Sequence, residues 1–186
     1  MVDGVDTFME MLQKGARILD VGCGTGIKTA VLMGKGFSVT GVDFSEKMIE
    51  IARRNVPEAK FEVWDLMDLG KMEQKFDAVF AQAVLLHIPK RDIPAALRIL
   101  AGRLVPGGYL YVAVKERRTN EGEEEVVKEN DYGYEYERFF SYFTLEDAKN
   151  FIKDAGLAIR YESVTSSGRR NWIQIIGQCG HSQENR

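Results

Sequence analysis

The sequence predicts an α/β fold, a largely parallel sheet with helices on both faces, on three observations. Short apolar strand-like runs alternate with helix-like segments along most of the chain. The first of these runs enters a glycine-rich turn that opens directly into a helix. The chain has 186 residues and 45% hydrophobic content, which suits one domain with a sizeable core. A single domain over 1–178 with a polar C-terminal tail over 179–186 is expected.

The elements follow in order. Arg17–Val21 reads as a strand, and Ile27, Ala30, Val31 and Gly34 fall at helical spacing after it. Phe37–Val42 alternates as a second strand. Ser45 is placed to cap a helix carrying Met48, Ile49, Ile51 and Ala52, with Arg53 and Arg54 at its C-terminal dipole. Phe61–Trp64 and Phe76–Ala81 are two further strands, joined by a polar stretch without clear periodicity. Asp92 is expected to cap a helix with the stripe Ile93, Ala96, Leu97, Leu100 and Leu104, tolerating Pro94 in its first turn. Pro106-Gly107-Gly108 is expected to stop it before the strand Tyr109–Val114. Thr144 and Asp147 have capping-box spacing ahead of Ala148, Phe151, Ile152 and Ala155, and Gly156 suits the C-terminal turn. Leu157–Val164 and Trp172–Ile176 can pair as a hairpin around Ser166-Ser167-Gly168.

Composition removes several classes of function. Lys and Arg number 25 against 28 Asp and Glu, a net charge of −3, so binding nucleic acid by bulk electrostatics is not expected. No apolar run approaches the roughly 20 residues that span a bilayer, and no membrane association is expected. The first residues carry acids and no basic segment, and Cys23 and Cys179 have no metal-type or redox-type spacing. A reduced, cytoplasmic protein without a metal is the expectation.

The turn is the informative segment. Asp20-Val21-Gly22-Cys23-Gly24-Thr25-Gly26 places glycines where a chain reverses tightly and where a ligand can approach backbone N–H groups. A dinucleotide fingerprint would put its third glycine three positions after the second, but position 27 is Ile. Asp20, two residues ahead of Gly22, would repel a pyrophosphate and welcome an amine. Asp43 ends the second strand, where a carboxylate can accept from two ribose hydroxyls. The implied ligand has a ribose and a cationic head and no phosphate. Cys23 is a small filler of the turn, with no basic neighbour to activate it.

These residues, with Val39-Thr40-Gly41-Val42-Asp43-Phe44-Ser45, Phe76-Asp77-Ala78-Val79 and Leu104-Val105-Pro106-Gly107-Gly108, resemble the class I S-adenosylmethionine-dependent methyltransferases over roughly residues 14–177. The resemblance implies a Rossmann-like, seven-stranded, mostly parallel sheet with its last strand antiparallel. It implies S-adenosyl-L-methionine as cofactor and S-adenosyl-L-homocysteine as product. By the same resemblance the Gly22, Gly24 and Gly26 turn faces the methionine part, with Asp20 near its amino group. Asp43 takes the ribose hydroxyls, Phe44 and Met48 cover the adenine, Asp65 and Leu66 meet its edge, and Ala81 and Gln82 line the sulfonium side. The Asn/Asp-Pro-Pro-Tyr signature for methylating base nitrogens is absent, with Ala81-Gln82-Ala83-Val84 in its place, which again argues against nucleic acid.

In-line methyl transfer needs positioning more than a covalent intermediate. A general base matters where the acceptor must lose a proton, and His87 is the candidate by position, with packing as its plainer role. His181 lies in the polar tail and has no expected role. Residues 121–137 hold eight acids and one lysine, and within them Tyr132, Tyr134 and Tyr136 alternate as if along one face of a strand, ahead of Phe139, Phe140, Tyr142 and Phe143. Such a set suits a cationic or amine acceptor through cation–π contact; the plainer reading, which is preferred, is a solvated acidic loop followed by an aromatic strand packed on the domain. Only Met1–Ala16 precede the first strand, room for one helix around Phe8–Leu12, so a lid over the cofactor is expected to be missing, to come from a partner chain, or to be lost from this version of the sequence. A methyltransferase of a small-molecule acceptor leads; a non-catalytic module binding the same cofactor and an NAD-dependent oxidoreductase are the alternatives.

Overall fold

A computed structural model describes residues 4–130, 133–168 and 170–180. Nine strands occur among these residues: β1 (Arg17–Val21), β2 (Ser38–Asp43), β3 (Lys60–Val63), β4 (Phe76–Gln82), β5 (Leu104–Lys115), β6 (Glu124–Glu129), β7 (Tyr136–Ser141), β8 (Leu157–Ser167) and β9 (Arg170–Cys179). Five α-helices accompany them: α1 (Gly4–Glu10), α2 (Ile27–Gly34), α3 (Glu46–Asn55), α4 (Ile93–Ala101) and α5 (Leu145–Asp154). Seven strands form one sheet in the order β3-β2-β1-β4-β5-β9-β8, and β6 and β7 form a separate antiparallel pair. β9 runs antiparallel to β5, as expected of the last strand.

Both faces of the sheet are covered, because both faces of its strands are apolar. On one face Leu19, Val79, Leu110 and Val112 pack under α4 and α5. On the other, Ile18, Phe80 and Tyr111 pack with Phe8 of α1 and Leu32 of α2. Phe80 and Tyr111 stack with centroids 4.8 Å apart, and Phe8 tilts against both at 5.7 and 5.5 Å. The N-terminal helix therefore belongs to the core of this face.

Local chemistry accounts for most element ends. Ser45 accepts from the Met48 amide and caps α3. Thr144 and Asp147 form the reciprocal capping box of α5, and Gly156 turns the chain at φ 80°. Several expectations are corrected. Asp92 makes no side-chain cap for α4; a single 3-10 turn, Lys90–Asp92, leads into that helix instead. α4 ends at Ala101, so Leu104 belongs to β5, and Pro106-Gly107-Gly108 lies inside that strand. α2 turns the opposite way from its predicted stripe: Thr29 and Leu32 are buried while Ile27 and Val31 are exposed. The cause is the Thr29 hydroxyl, which donates to the buried Asp20 carboxylate at 2.6 Å and fixes which side of α2 faces the sheet.

The acidic segment is not a loop. Glu124–Glu129 pairs residue for residue with Tyr136–Ser141. Tyr134 stands just ahead of that strand with its ring 5.8 Å from that of Tyr136; Tyr132, the third phenol of the expected face, lies outside the described residues, as do Asp131 and His181.

Candidate functional site

The sheet order reverses direction between β1 and β4, the position where open α/β sheets place a crevice at the carboxyl ends of their strands. A cleft of about 660 Å³ lies there, within the roughly 300–1,000 Å³ typical of small-molecule sites. Each of four strand ends contributes to its wall. Val21 closes β1 and Gly22 follows it, Asp43 closes β2 and Phe44 follows it, Trp64 to Met67 follow β3, and Ala83, Val84 and His87 follow β4.

The turn after β1 is built for close approach. Gly22, Gly24 and Gly26 all have positive φ. At Gly22 an added Cβ would sit 2.5 Å from Val84 Cγ2, whereas at Gly24 it would meet nothing within 4 Å. Gly22 is thus required by the packing of Val84, and Gly24 leaves open space above the backbone. Val84 is pressed into place by Ala83, a non-glycine residue at φ 59°, whose amide donates to Ala113 O at 3.0 Å.

Asp43 is held at both oxygens. Oδ2 accepts from the Gly24 amide at 3.0 Å and Oδ1 from the Ser45 amide at 2.9 Å, so one carboxylate ties the glycine turn to the start of α3. Phe44 is 77% exposed beside it, on the cleft wall. Asp65 and Leu66 also line the cleft, with Asp65 Oδ1 accepting from the Met67 amide at 2.8 Å. A 3-10 turn, Leu66–Lys71, fills the stretch that showed no periodicity.

Other predicted residues stand elsewhere. Met48 sits in the first turn of α3 and is not part of the cleft wall. Ala81 is fully buried in the core. Asp20 is 2% exposed and lies beneath the turn on Thr29; burial pushes its pKa up to about 7, with the nearby Asp43 charge adding to the rise. Burial drives the Cys23 thiol far above its usual range as well, in keeping with a filler. Gln82 has a buried carboxamide oxygen with no protein partner.

His87 reaches the cleft through a 3-10 turn, Leu85–His87. Its Nδ1 lies 2.9 Å from the Phe139 carbonyl oxygen, which can only accept, so Nδ1 carries the proton and Nε2 the free lone pair. Burial is the main cause of its lowered pKa; the Phe139 carbonyl opposes this, and Arg138 and Lys115 lower it further. The β6–β7 pair therefore supplies one wall of the His87 environment, which sequence reasoning missed. Ser141 anchors the same pair by donating to Ile88 O at 2.6 Å.

Several aromatic and acidic groups of this pair and its flanks are matched by the protein's own cations. Lys115 lies over Phe140, Arg170 over Tyr142, Arg138 over Tyr136 and Lys90 over Phe143. Glu121 pairs with Arg170, Glu129 with Arg138 and Glu123 with Arg117. Part of the set that suggested a cationic or amine acceptor is thus engaged within the protein.

The chain belongs to the methyltransferase domain family, whose model matches residues 1–162. It is a class I S-adenosylmethionine-dependent methyltransferase domain, and S-adenosylmethionine is the cofactor of that class. It is 33% identical over 108 residues to the ubiquinone biosynthesis O-methyltransferase of Coxiella burnetii, covering 56% of this chain and 45% of that protein. It is 34% identical over 109 residues to the trans-aconitate 2-methyltransferase of Variovorax paradoxus, covering 58% of this chain and 41% of that one. The chain thus spans less than half the length of these two relatives. A crystal structure of an S-adenosylmethionine-dependent methyltransferase from Methanosarcina mazei has the same fold, with a TM-score of 0.83, 21% identity, and coverage of 98% of this chain and 99% of that one.

Proposed function

We propose that this domain methylates a small-molecule acceptor at oxygen, by direct in-line transfer. The observation that carries the reading is the single cleft in which the glycine turn, the Asp43 carboxylate and His87 meet. The names of the two relatives, one an O-methyltransferase and the other a trans-aconitate methyltransferase, support a small oxygen acceptor.

When bound, S-adenosylmethionine supplies a methyl group on a sulfonium, which leaves as a neutral thioether. The chain's own residues then divide as follows. Asp43, fixed by two amides, receives the ribose hydroxyls; Phe44 covers the adenine, and Asp65 and Leu66 meet its edge. The turn from Gly22 to Gly26 runs along the methionine part, above the buried charge of Asp20. Gln82 offers its partnerless oxygen to a donor on that side. His87, with Nε2 as its free lone pair, takes the proton from an acceptor hydroxyl. The exposed apolar residues Ile27, Val31 and Phe44 support a cover supplied by a partner chain. Two free cysteines support a reducing, cytoplasmic setting, and no helix among the described residues is long and apolar enough to cross a membrane.

The test is release of S-adenosylhomocysteine from S-adenosylmethionine with pools of phenols, hydroxy acids and amines. Turnover with an oxygen acceptor is expected, and turnover confined to amines would contradict the reading. The pH profile checks His87. Because its pKa is lowered, the imidazole stays neutral below 6.5 and the rate should fall only on further acidification. His87→Gln should cost about 10²–10⁴ in kcat and remove that acid limb.

A further inference from the structure

We infer that the acceptor carries an anionic group, a carboxylate, received by the ammonium of Lys115. The inference rests on the methyltransferase reading above and names the chemistry its acceptor side selects. The carboxylate serves as a handle, and the methylated oxygen is a separate hydroxyl.

Lys115 ends β5. Gln82, the last residue of β4, pairs with Ala113, so Lys115 stands two residues further along β5 and on the same face as Ala113. This puts it beyond the end of β4, on the side of the sheet where the cleft opens. Its Nζ lies 3.8 Å from the centroid of Phe140, and the His87 ring lies 4.9 Å from the same centroid. One aromatic ring therefore joins this ammonium to a residue of the cleft wall.

The neighbouring cations are all matched. Arg170 makes two contacts of 2.7 Å to the two oxygens of Glu121, Arg138 lies 3.0 Å from Glu129, and Lys90 lies 3.5 Å from Asp147. Among the described residues no carboxylate lies within ion-pair distance of Lys115. A half-buried ammonium on an aromatic face, with no carboxylate close enough to pair with it, is incompletely compensated. Burial is the main cause of the lowered pKa of Lys115, with Arg170 and Arg138 adding to it and Glu129 and Glu121 opposing it; for His87 burial again leads, with Arg138 and Lys115 adding to it and the Phe139 carbonyl and Glu129 opposing it. A negative group entering here relieves both, whereas a cation adds to the repulsion. The Phe140, Tyr142 and Tyr136 rings of the β6–β7 side already carry the protein's own cations.

The test uses benzoate, succinate and citrate, each against its neutral amide, with benzylamine as the cationic probe. Binding is followed by calorimetry, with and without saturating S-adenosylhomocysteine. At least one carboxylate should bind tenfold or more tightly than its amide, and benzylamine should bind more weakly than benzoate. Lys115→Met should weaken that carboxylate by about tenfold or more, Lys115→Arg should restore most of the affinity, and neither should alter S-adenosylhomocysteine affinity. Carboxylates binding no better than their amides, or equally well to Lys115→Met, would overturn the inference. Because the carboxylate arm is also read without S-adenosylhomocysteine, loss of the cofactor reading would register separately, as absent S-adenosylhomocysteine binding beside an intact Lys115 effect.

Discussion

Replacing Asp43 by alanine should weaken S-adenosylhomocysteine binding by at least about 100-fold, the loss expected when two charge-assisted hydrogen bonds to ribose disappear. The argument is geometric. Asp43 is oriented before any ligand arrives, because the Gly24 and Ser45 amides hold its two oxygens at 3.0 and 2.9 Å. A preoriented acceptor spends little of its interaction on ordering, so its removal is felt almost fully in affinity. The same two bonds tie the turn to α3, so the alanine variant should also lose roughly 1–3 kcal/mol of stability. Asp43→Asn separates the effects: it keeps one acceptor for the backbone but presents a donor to the ribose. Calorimetric titration with a parallel denaturant melt reads both. Unchanged affinity in Asp43→Ala would mean that the ribose lies elsewhere.

The second large effect concerns Asp20. Its carboxyl is buried, and its pKa in the folded chain is raised from 3.8 to about 7, chiefly by burial. Between those values the folded state binds more protons than the unfolded one, so this contribution to stability is full below 3.8 and is lost as pH rises through 7. Above that pH the ligand-free protein carries a buried charge that costs roughly 2–4 kcal/mol. Asp20→Asn removes the charge and still offers an oxygen to the Thr29 hydroxyl. The variant should therefore be more stable than the parent at pH 8.5 and closely matched to it near pH 4. Melting curves at the two pH values check this, and equal stability at pH 8.5 would contradict it.

What could be read from the sequence depended on how local the controlling physics was. The strand order up to β5, the cap at Ser45 and the capping box at Thr144 rest on neighbouring residues. The glycine turn and Asp43 were legible too, since a strand end followed by a helix leaves few uses for such residues. The face of α2 was not, because Ile27 and Val31 are apolar yet exposed, and a buried bond from Thr29 to Asp20 decides the rotation. The β6–β7 pair was hidden for a related reason. A strand such as Glu124–Glu129 has no apolar alternation to betray it; Glu129 is held by Arg138 of β7, and the acids just ahead of the strand, Glu121 and Glu123, by Arg170 of β9 and Arg117 after β5. Arg170 stands 49 positions from Glu121, and the pairing with Tyr136–Ser141 leaves no mark on the segment's own pattern, so it resembled a solvated loop. With the chain folded, Tyr136, Phe140, Tyr142 and Phe143 each carry one of the protein's own cations.

The central claim is that the cleft over Gly22 and Asp43 is a complete site for an adenosyl ligand of this class. Thermal unfolding with and without S-adenosylhomocysteine, with NADH as control, tests it most directly. A ligand at one hundred times its dissociation constant stabilises by about 2.7 kcal/mol. For a domain of this size the midpoint should rise by roughly 5–11 °C. The account predicts that rise with S-adenosylhomocysteine and none with NADH. A midpoint unmoved at saturating S-adenosylhomocysteine, or a rise with NADH instead, would contradict it.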